Sequence, residues 1–167
     1  LGDLLGEPLP VLFEHVGDVT GLQAEPLASF DAVCVVPEGH RLAQKRVVRP
    51  KDLAGEAFIS LPIGQPGRTL IDEALKESDL RVHRLEIATS QSICDLVEAG
   101  LGVSILNPLN IDPARQLRLK LKPFEPRIQF STYLLSSALR PISPICGQFI
   151  AAARTVVREV EKELTGQ

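Results

Sequence analysis

"TSQSICDLVEAGLGVSILNP", residues 89–108, is the stretch whose reading decides the fold. Ile93, Leu96 and Val97 recur at helical spacing and mark the buried face of a short helix. Gly100 stands where a left-handed C-terminal cap belongs, and "GVSILNP" (102–108) is a short apolar run that Pro108 closes. The stretch therefore predicts a strand end, a turn, a helix, a glycine stop and a buried strand. Polar residues crowd the point where the helix begins. Ser92 with Asp95 fits a capping box, which explains them as helix starters. The same helix start leaves backbone amides unpaired beside partial positive charge, a setting that attracts carboxylates.

Upstream, "VHRLEIA" (82–88) reads as a strand, and "RTLIDEALKES" puts Leu70, Ile71, Ala74 and Leu75 on one helical face. "AFISLP" (57–62) is a strand closed by proline, and Ala32 to Val36 is a stronger one ended by Pro37. From 32 to 108 the order is strand, strand, helix, strand, helix, strand. That alternation argues for an α/β domain with a mostly parallel sheet.

Outside this core, Val11 to Phe13 look like a short strand. "LRLKLKPF" (117–124) alternates Leu117, Leu119 and Leu121 with Arg118, Lys120 and Lys122, which suits a strand with one wet face. "FSTYLLSS" (130–137) is a further strand. A long amphipathic helix follows, with Ser143 as N-cap and Pro144 first in the helix. Its expected inner face is Ile145, Phe149, Ala152, Ala153, Val156, Val157, Val160 and Leu164.

The 167 residues suffice for one domain or two small lobes, and 44% apolar with 23% charged residues is ordinary for a globular chain. Six Phe, one Tyr and no Trp make no stacking platform, and a net charge of −3 gives no footprint for nucleic acid. No apolar run approaches the roughly 20 residues needed to span a bilayer. The opening residues lack the basic region and apolar core of a signal peptide. Three widely spaced cysteines, Cys34, Cys94 and Cys146, suit a reducing cytoplasm. The absence of Met is read as the mark of a piece of a longer chain.

Catalytic and metal chemistry find little support. There is no G-x-S-x-G elbow, and Cys34 and Cys94 fall on apolar faces. His15, His40 and His83 are far apart with no ligand partner at metal spacing, and His40 in "PEGHRL" reads as a turn residue. No Walker loop or G-x-G-x-x-G is present, so no cofactor is expected. Arg118, Lys120 and Lys122 read as a solvated strand face. What remains is ligand capture at two helix starts that follow strands. One is "SLPIGQPGR" (60–68), where Gly64 and Gly67 would let a ligand approach the backbone and Arg68 could clamp a carboxylate. The other is "ATSQS" (88–92). In an open α/β sheet both lie at the carboxyl ends of strands, the usual ligand edge.

Five segments then carry a family resemblance: "GLQAEPLASFDAVCVVPEGHRLA", "DLAGEAFISLP", "RTLIDEAL", "TSQSICDLVEAGLGVSILNPL" and "RPISPICGQFIAAAR". In this order, from Gly21 to Arg154, they resemble the effector-binding domain of a LysR-type transcriptional regulator, most closely the branch that senses amino acids or opine-like conjugates. The resemblance implies two Rossmann-like lobes of the type 2 periplasmic-binding-protein kind, with mixed sheets flanked by helices and two crossing strands. Residues 1–31 and 118–167 would form an incomplete lobe I, lacking its first strand–helix–strand, and 32–117 lobe II.

A small carboxylate or amino-acid-like effector would bind between the lobes. Ser60, Pro62, Gly64, Arg68, Thr89, Ser90, Gln91 and Asn107 would be the second lobe's contacts. The resemblance further implies a cytoplasmic homodimer or homotetramer with no catalytic, metal or membrane role. It would bind DNA only through a winged helix-turn-helix that this sequence does not contain. A solute-binding protein of a transport system is the alternative.

Overall fold

A computed structural model describes residues 11–14, 20–76, 83–112, 114–115, 118–139 and 142–165. The expected strand ends Val82 and Leu117, and His15, lie outside the described residues, as do the side chains of His83 and Leu164. The chain divides into two compact units, one formed by Phe30–Phe130 and the other by the residues up to Ser29 together with those from Ser131.

The Phe30–Phe130 unit is organised by β3 (Val33–Pro37), whose apolar run leaves no wet face. Its side chains alternate between two cores, as the period of a strand requires. Cys34 and Val36 join Phe58, Ile105, Ile71 and Leu75 on one side. Val35 joins Ile59, Leu106, Ile93, Cys94 and Val97 on the other. The two cores belong to two helices on opposite faces of the sheet: α1 (Pro66–Leu75) and α2 (Ser90–Glu98). Helix α2 ends as its sequence predicts. Gly100 has φ +76°, and the amides of Gly100 and Leu101 return to the carbonyls of Val97 and Leu96.

β4 (Ala57–Ser60) and β5 (His83–Glu86) are parallel, with Ser60 opposite Glu86. β6 (Ser104–Leu106) and β7 (Leu119–Pro123) flank β3, both antiparallel to it, with Cys34 opposite Ile105 and Val35 opposite Leu121. Val103 ties β6 to β4 through Ile59 N to Val103 O and Val103 N to Ala57 O, each 2.9 Å. The sheet is therefore mixed, not mostly parallel. Alternation of elements along a chain tells which follow one another, but not which strands become neighbours. The position of β7 also sets the extent of the larger unit. Residues 118–130 go with the larger unit, because β7 pairs with β3 and Phe124, Ile128 and Phe130 enter its core.

This unit also carries 3₁₀ turns at Arg41–Gln44, Pro50–Leu53 and Pro108–Asn110. His40 caps the first, its Nδ1 accepting from Leu42 N at 3.3 Å while Nε2 lies 3.1 Å from Glu56 Oε2.

The second unit carries a three-stranded sheet in the order β1 (Val11–Glu14), β8 (Gln129–Ser137), β2 (Leu22–Asp31), with β1 antiparallel to β8. β2 contains Pro26, which an edge strand tolerates because one side of its backbone needs no partner. Helix α3 (Pro144–Thr165) starts as expected, with Cys146 N donating to Ser143 Oγ at 3.4 Å. Its buried stripe differs from expectation. Val157 is buried as expected, but Cys146 and Ile150 are buried too, whereas Ile145, Phe149 and Val156 are 68%, 45% and 54% exposed. Both neighbouring stripes carry apolar residues, so periodicity alone could not choose between them.

All three cysteines are free and buried. Burial, then the charges of Glu56 and Asp52, push the Cys34 thiol from its usual 9.0 up to about 12. The folded chain thus keeps a proton that the unfolded chain releases above its own pKa. The resulting stabilisation is whole below about pH 9 and is lost as pH rises toward about 12. Iodoacetamide at pH 8 should accordingly label Cys34 only when denaturant is added, as read by peptide mass spectrometry. Rapid labelling of the native chain would show that its core opens readily.

Candidate functional site

Three strand ends meet on one edge of the larger unit. The parallel register of β4 and β5 places Ser60 beside Glu86, and the bridge from Phe58 to Val103 brings the exit of β6 to the same side. From this edge Leu61–Gln65 leads into α1, Ile87–Thr89 leads into α2, and Asn107 leads into the Pro108–Asn110 turn. Ser60, Pro62, Gly64, Thr89, Ser90 and Asn107 are thus all carried by elements of one edge. This is where the amino ends of both helices gather partial positive charge.

The individual side chains have distinct roles. Ser60 is 2% exposed, and its hydroxyl has no hydrogen-bond partner among the described residues. Pro62 accepts from Gln65 N at 3.2 Å, closing a turn whose third residue, Gly64, has φ +93°. That conformation suits glycine and strains other residues. Asn107 is buried, and its Oδ1 accepts from Leu109 N at 3.0 Å. Ser90 is half-buried as the first residue of α2; its amide and that of Gln91 precede the first i−4 carbonyl of the helix.

The geometry corrects two expectations, the cap of α2 and the role of Gly67, and shows that Arg68 and Gln91 have partners within the chain. The N-cap of α2 is Thr89, not Ser92: Thr89 has extended dihedrals and its Oγ1 accepts from Ser92 N at 3.2 Å. Ser92 is already inside the helix, where its Oγ accepts from Thr89 Oγ1 at 2.9 Å. Gly67 provides close packing, not ligand approach, since a Cβ there would lie 3.1 Å from the Phe130 ring.

Arg68 is 5% exposed and already engaged within the chain. Its Nε donates to Asp72 at 2.7 Å, and its Nη1 donates to Leu61 O at 2.8 Å and Glu86 at 2.9 Å. It holds the loop after β4 against the end of β5, so its guanidinium is an internal brace. Gln91 turns along the outer face of α2. In the amide orientation that satisfies its neighbours, its side-chain oxygen accepts from Arg115 Nε at 2.8 Å.

Glu86, Asp72 and Arg115 were not singled out from the sequence. The Arg68–Asp72 pair had a signal, the i,i+4 spacing on a helix. Arg115 had none, because its partners are 17 to 24 positions away in the sequence. The basic strand residues find local partners, Arg118 with Glu98 at 2.6 Å and Lys120 with Glu38 at 3.0 Å. Among the described residues no group of three or more His, Cys, Asp or Glu could hold a metal ion, and no helix is long and apolar enough to cross a membrane.

A mixed sheet with helices on both faces, and both helices starting over one strand edge, is the architecture of a type 2 periplasmic-binding-protein-like domain. The chain belongs to the LysR substrate binding domain family, whose model matches residues 10–158. It is 33% identical over 139 residues to the transcriptional activator protein LysR of Escherichia coli, covering 83% of this chain and 45% of that protein. It is 32% identical over 148 residues to the regulatory protein NocR of Agrobacterium tumefaciens, covering 88% of this chain and 49% of that protein. The chain therefore spans about half the length of these relatives. Among solved structures, the CcmR regulatory domain of Synechocystis in complex with 2-PG has a TM-score of 0.70 at 21% identity, covering 89% of this chain and 73% of that one. The effector-binding domain of QuiR in complex with shikimate also has a TM-score of 0.70, at 22% identity, covering 90% and 72%.

Proposed function

We propose that this chain is the effector-sensing part of a bacterial LysR-type transcriptional regulator, and that a small carboxylate or amino-acid-like effector binds at the edge formed by β4, β5 and β6. The observation that carries the reading is the Ser60 hydroxyl, buried without a partner at a strand end from which a helix begins. An orphaned buried hydroxyl costs about 1–3 kcal/mol, a penalty that a polar ligand would relieve. The α2 amino end would supply backbone donors for the carboxylate, with Ser90 adding its hydroxyl.

The regulator names of the sequence relatives favour this reading over a transport solute-binding protein. The complexes of the CcmR and QuiR domains with small molecules lend support. The effector would act through unequal affinity for two arrangements of a cytoplasmic homodimer or homotetramer, whose DNA contacts lie in a winged helix-turn-helix outside this chain.

The test is a thermal-shift screen of the L-amino acids, succinate and glutarate, followed by titration calorimetry of any compound that raises Tm. Ser90→Ala and Ser60→Ala should each weaken that compound about tenfold, equivalent to about 1.4 kcal/mol. Unchanged affinity in both variants would remove the site from this edge.

A further inference from the structure

We propose that Arg115 is a positioning residue for the effector edge: it ties the first turn of α2, through Gln91, to the segment that leaves the edge at Asn107. The proposal rests on the effector reading given above and adds a fixed spacing between two of its contact elements.

Gln91, Asp95 and Glu98 follow one another at i, i+4 and i+7, so they share one face of α2. Arg115 meets all three. Its Nη1 is 2.6 Å from Asp95 Oδ1 and 3.5 Å from Glu98 Oε2, while Gln91 accepts from Nε at 2.8 Å and also from Nη2. The guanidinium is no loose surface charge, since the Arg115 side chain is only 22% exposed.

The other end of the tether is also fixed. Arg115 N donates to Asp112 O at 3.0 Å, and Ala114 N donates to Asp112 Oδ1 at 2.9 Å. Further back, Asn110 N donates to Asn107 O at 3.0 Å, beside the cap that Asn107 makes to Leu109. Arg118 adds a second hold on Glu98 at 2.6 Å.

Asn107 and Ser90 thus sit at the near ends of two segments that Arg115 fastens together farther out. A ligand that touches both would meet them at a set separation and would not have to order either on binding. Arg115 therefore acts through Gln91 and the α2 start and need not touch the effector itself. A lysine would keep the charge near Asp95 and Glu98. It lacks the planar fork that reaches Gln91 at the same time.

The decisive experiment is amide hydrogen exchange by NMR on the wild-type chain, Arg115→Lys, Gln91→Ala and the double variant. Arg115→Lys should speed exchange at Ile93 and Cys94 about tenfold while leaving the exchange of Phe58 and Ile59 in β4 unchanged, the pattern of a local opening. The double variant should exchange no faster than Arg115→Lys alone, because both changes break one link. Wild-type exchange at Ile93 in Arg115→Lys, or effects that simply multiply in the double variant, would overturn the proposal.

Sodium acetate, followed through the Ser90 and Gln91 amide signals, separates the two readings. Acetate that binds the wild-type chain should bind Arg115→Lys several-fold more weakly, and equal binding would also overturn the positioning role. No acetate response in the wild-type chain would count against the effector edge, while hydrogen exchange still decides the tether.

Discussion

Gly102→Ala should destabilise the chain by about 3–5 kcal/mol, combining an overpacked contact with the loss of two buried backbone hydrogen bonds. A Cβ at this position would fall well under 3.0 Å from the Ala57 carbonyl oxygen and 3.1 Å from Ile59 Cγ1. The carbonyl cannot simply retreat, because it accepts from Val103 N at 2.9 Å. Relief requires β4 and the start of β6 to separate, which also opens the bond from Ile59 N to Val103 O. β4 ends at Ser60 and β6 leads into Asn107, so the change should disturb the candidate site as well as the fold. Urea unfolding followed by circular dichroism should give a clearly lower midpoint with little change in slope. Gly64→Ala is the matched control: its Cβ would meet nothing within 4 Å, and the cost of φ +93° alone should be about 1 kcal/mol. Equal midpoints for the two variants would show that the approach of Gly102 to Ala57 is not fixed.

What could be read in advance followed from hydrophobic period. β3, β4, α1, α2 and β6 were legible in order because each has an apolar run or helical spacing with proline or glycine at a boundary. β5 was legible from Val82, Leu85 and Ile87, interleaved with polar residues between the two helices. β2 was not, because its residues are mostly exposed and Pro26 interrupts them, so no alternation signals a strand. The place of β7 in the larger unit was not legible for a related reason: the alternation of Leu119 and Leu121 predicts a strand, yet its pairing with β3 is a long-range fact. At the site, local chemistry pointed to the loops that leave one strand edge but could not show which side chains find partners within the chain. Thr89 and Ser92 can both cap a helix, and only the backbone dihedrals decide between them. Arg68 and Gln91 resembled ligand contacts because their partners, Glu86 and Arg115, lie 18 and 24 positions away.

Arg68→Met should cost about 2–4 kcal/mol, because it removes a buried guanidinium that serves the part-buried Leu61 carbonyl and two carboxylates. The two carboxylates are 39% and 41% exposed, so water relieves part of their loss and keeps the effect below that of a fully buried pair. The Leu61 carbonyl has less recourse, since Arg68 Nη1 at 2.8 Å is the contact that holds the loop after β4. Arg68→Lys should recover only a fraction, because one ammonium cannot reproduce the directed contacts to Leu61, Asp72 and Glu86. Glu86→Gln, which keeps an acceptor but removes one charge, should fall between Arg68→Lys and the wild-type chain. Urea midpoints for the three variants test this order. The same series discriminates between a brace and a ligand clamp. A clamp would lose effector affinity at unchanged stability, since a guanidinium held ready for a ligand contributes little to the free chain. A brace loses stability first, and effector affinity follows only as the Leu61–Gln65 loop shifts. Three contacts already made within the chain argue for the brace. The proposed carboxylate-binding role then falls to the Ser60 hydroxyl, buried without a partner among the described residues, and to the amino end of α2 at the same edge.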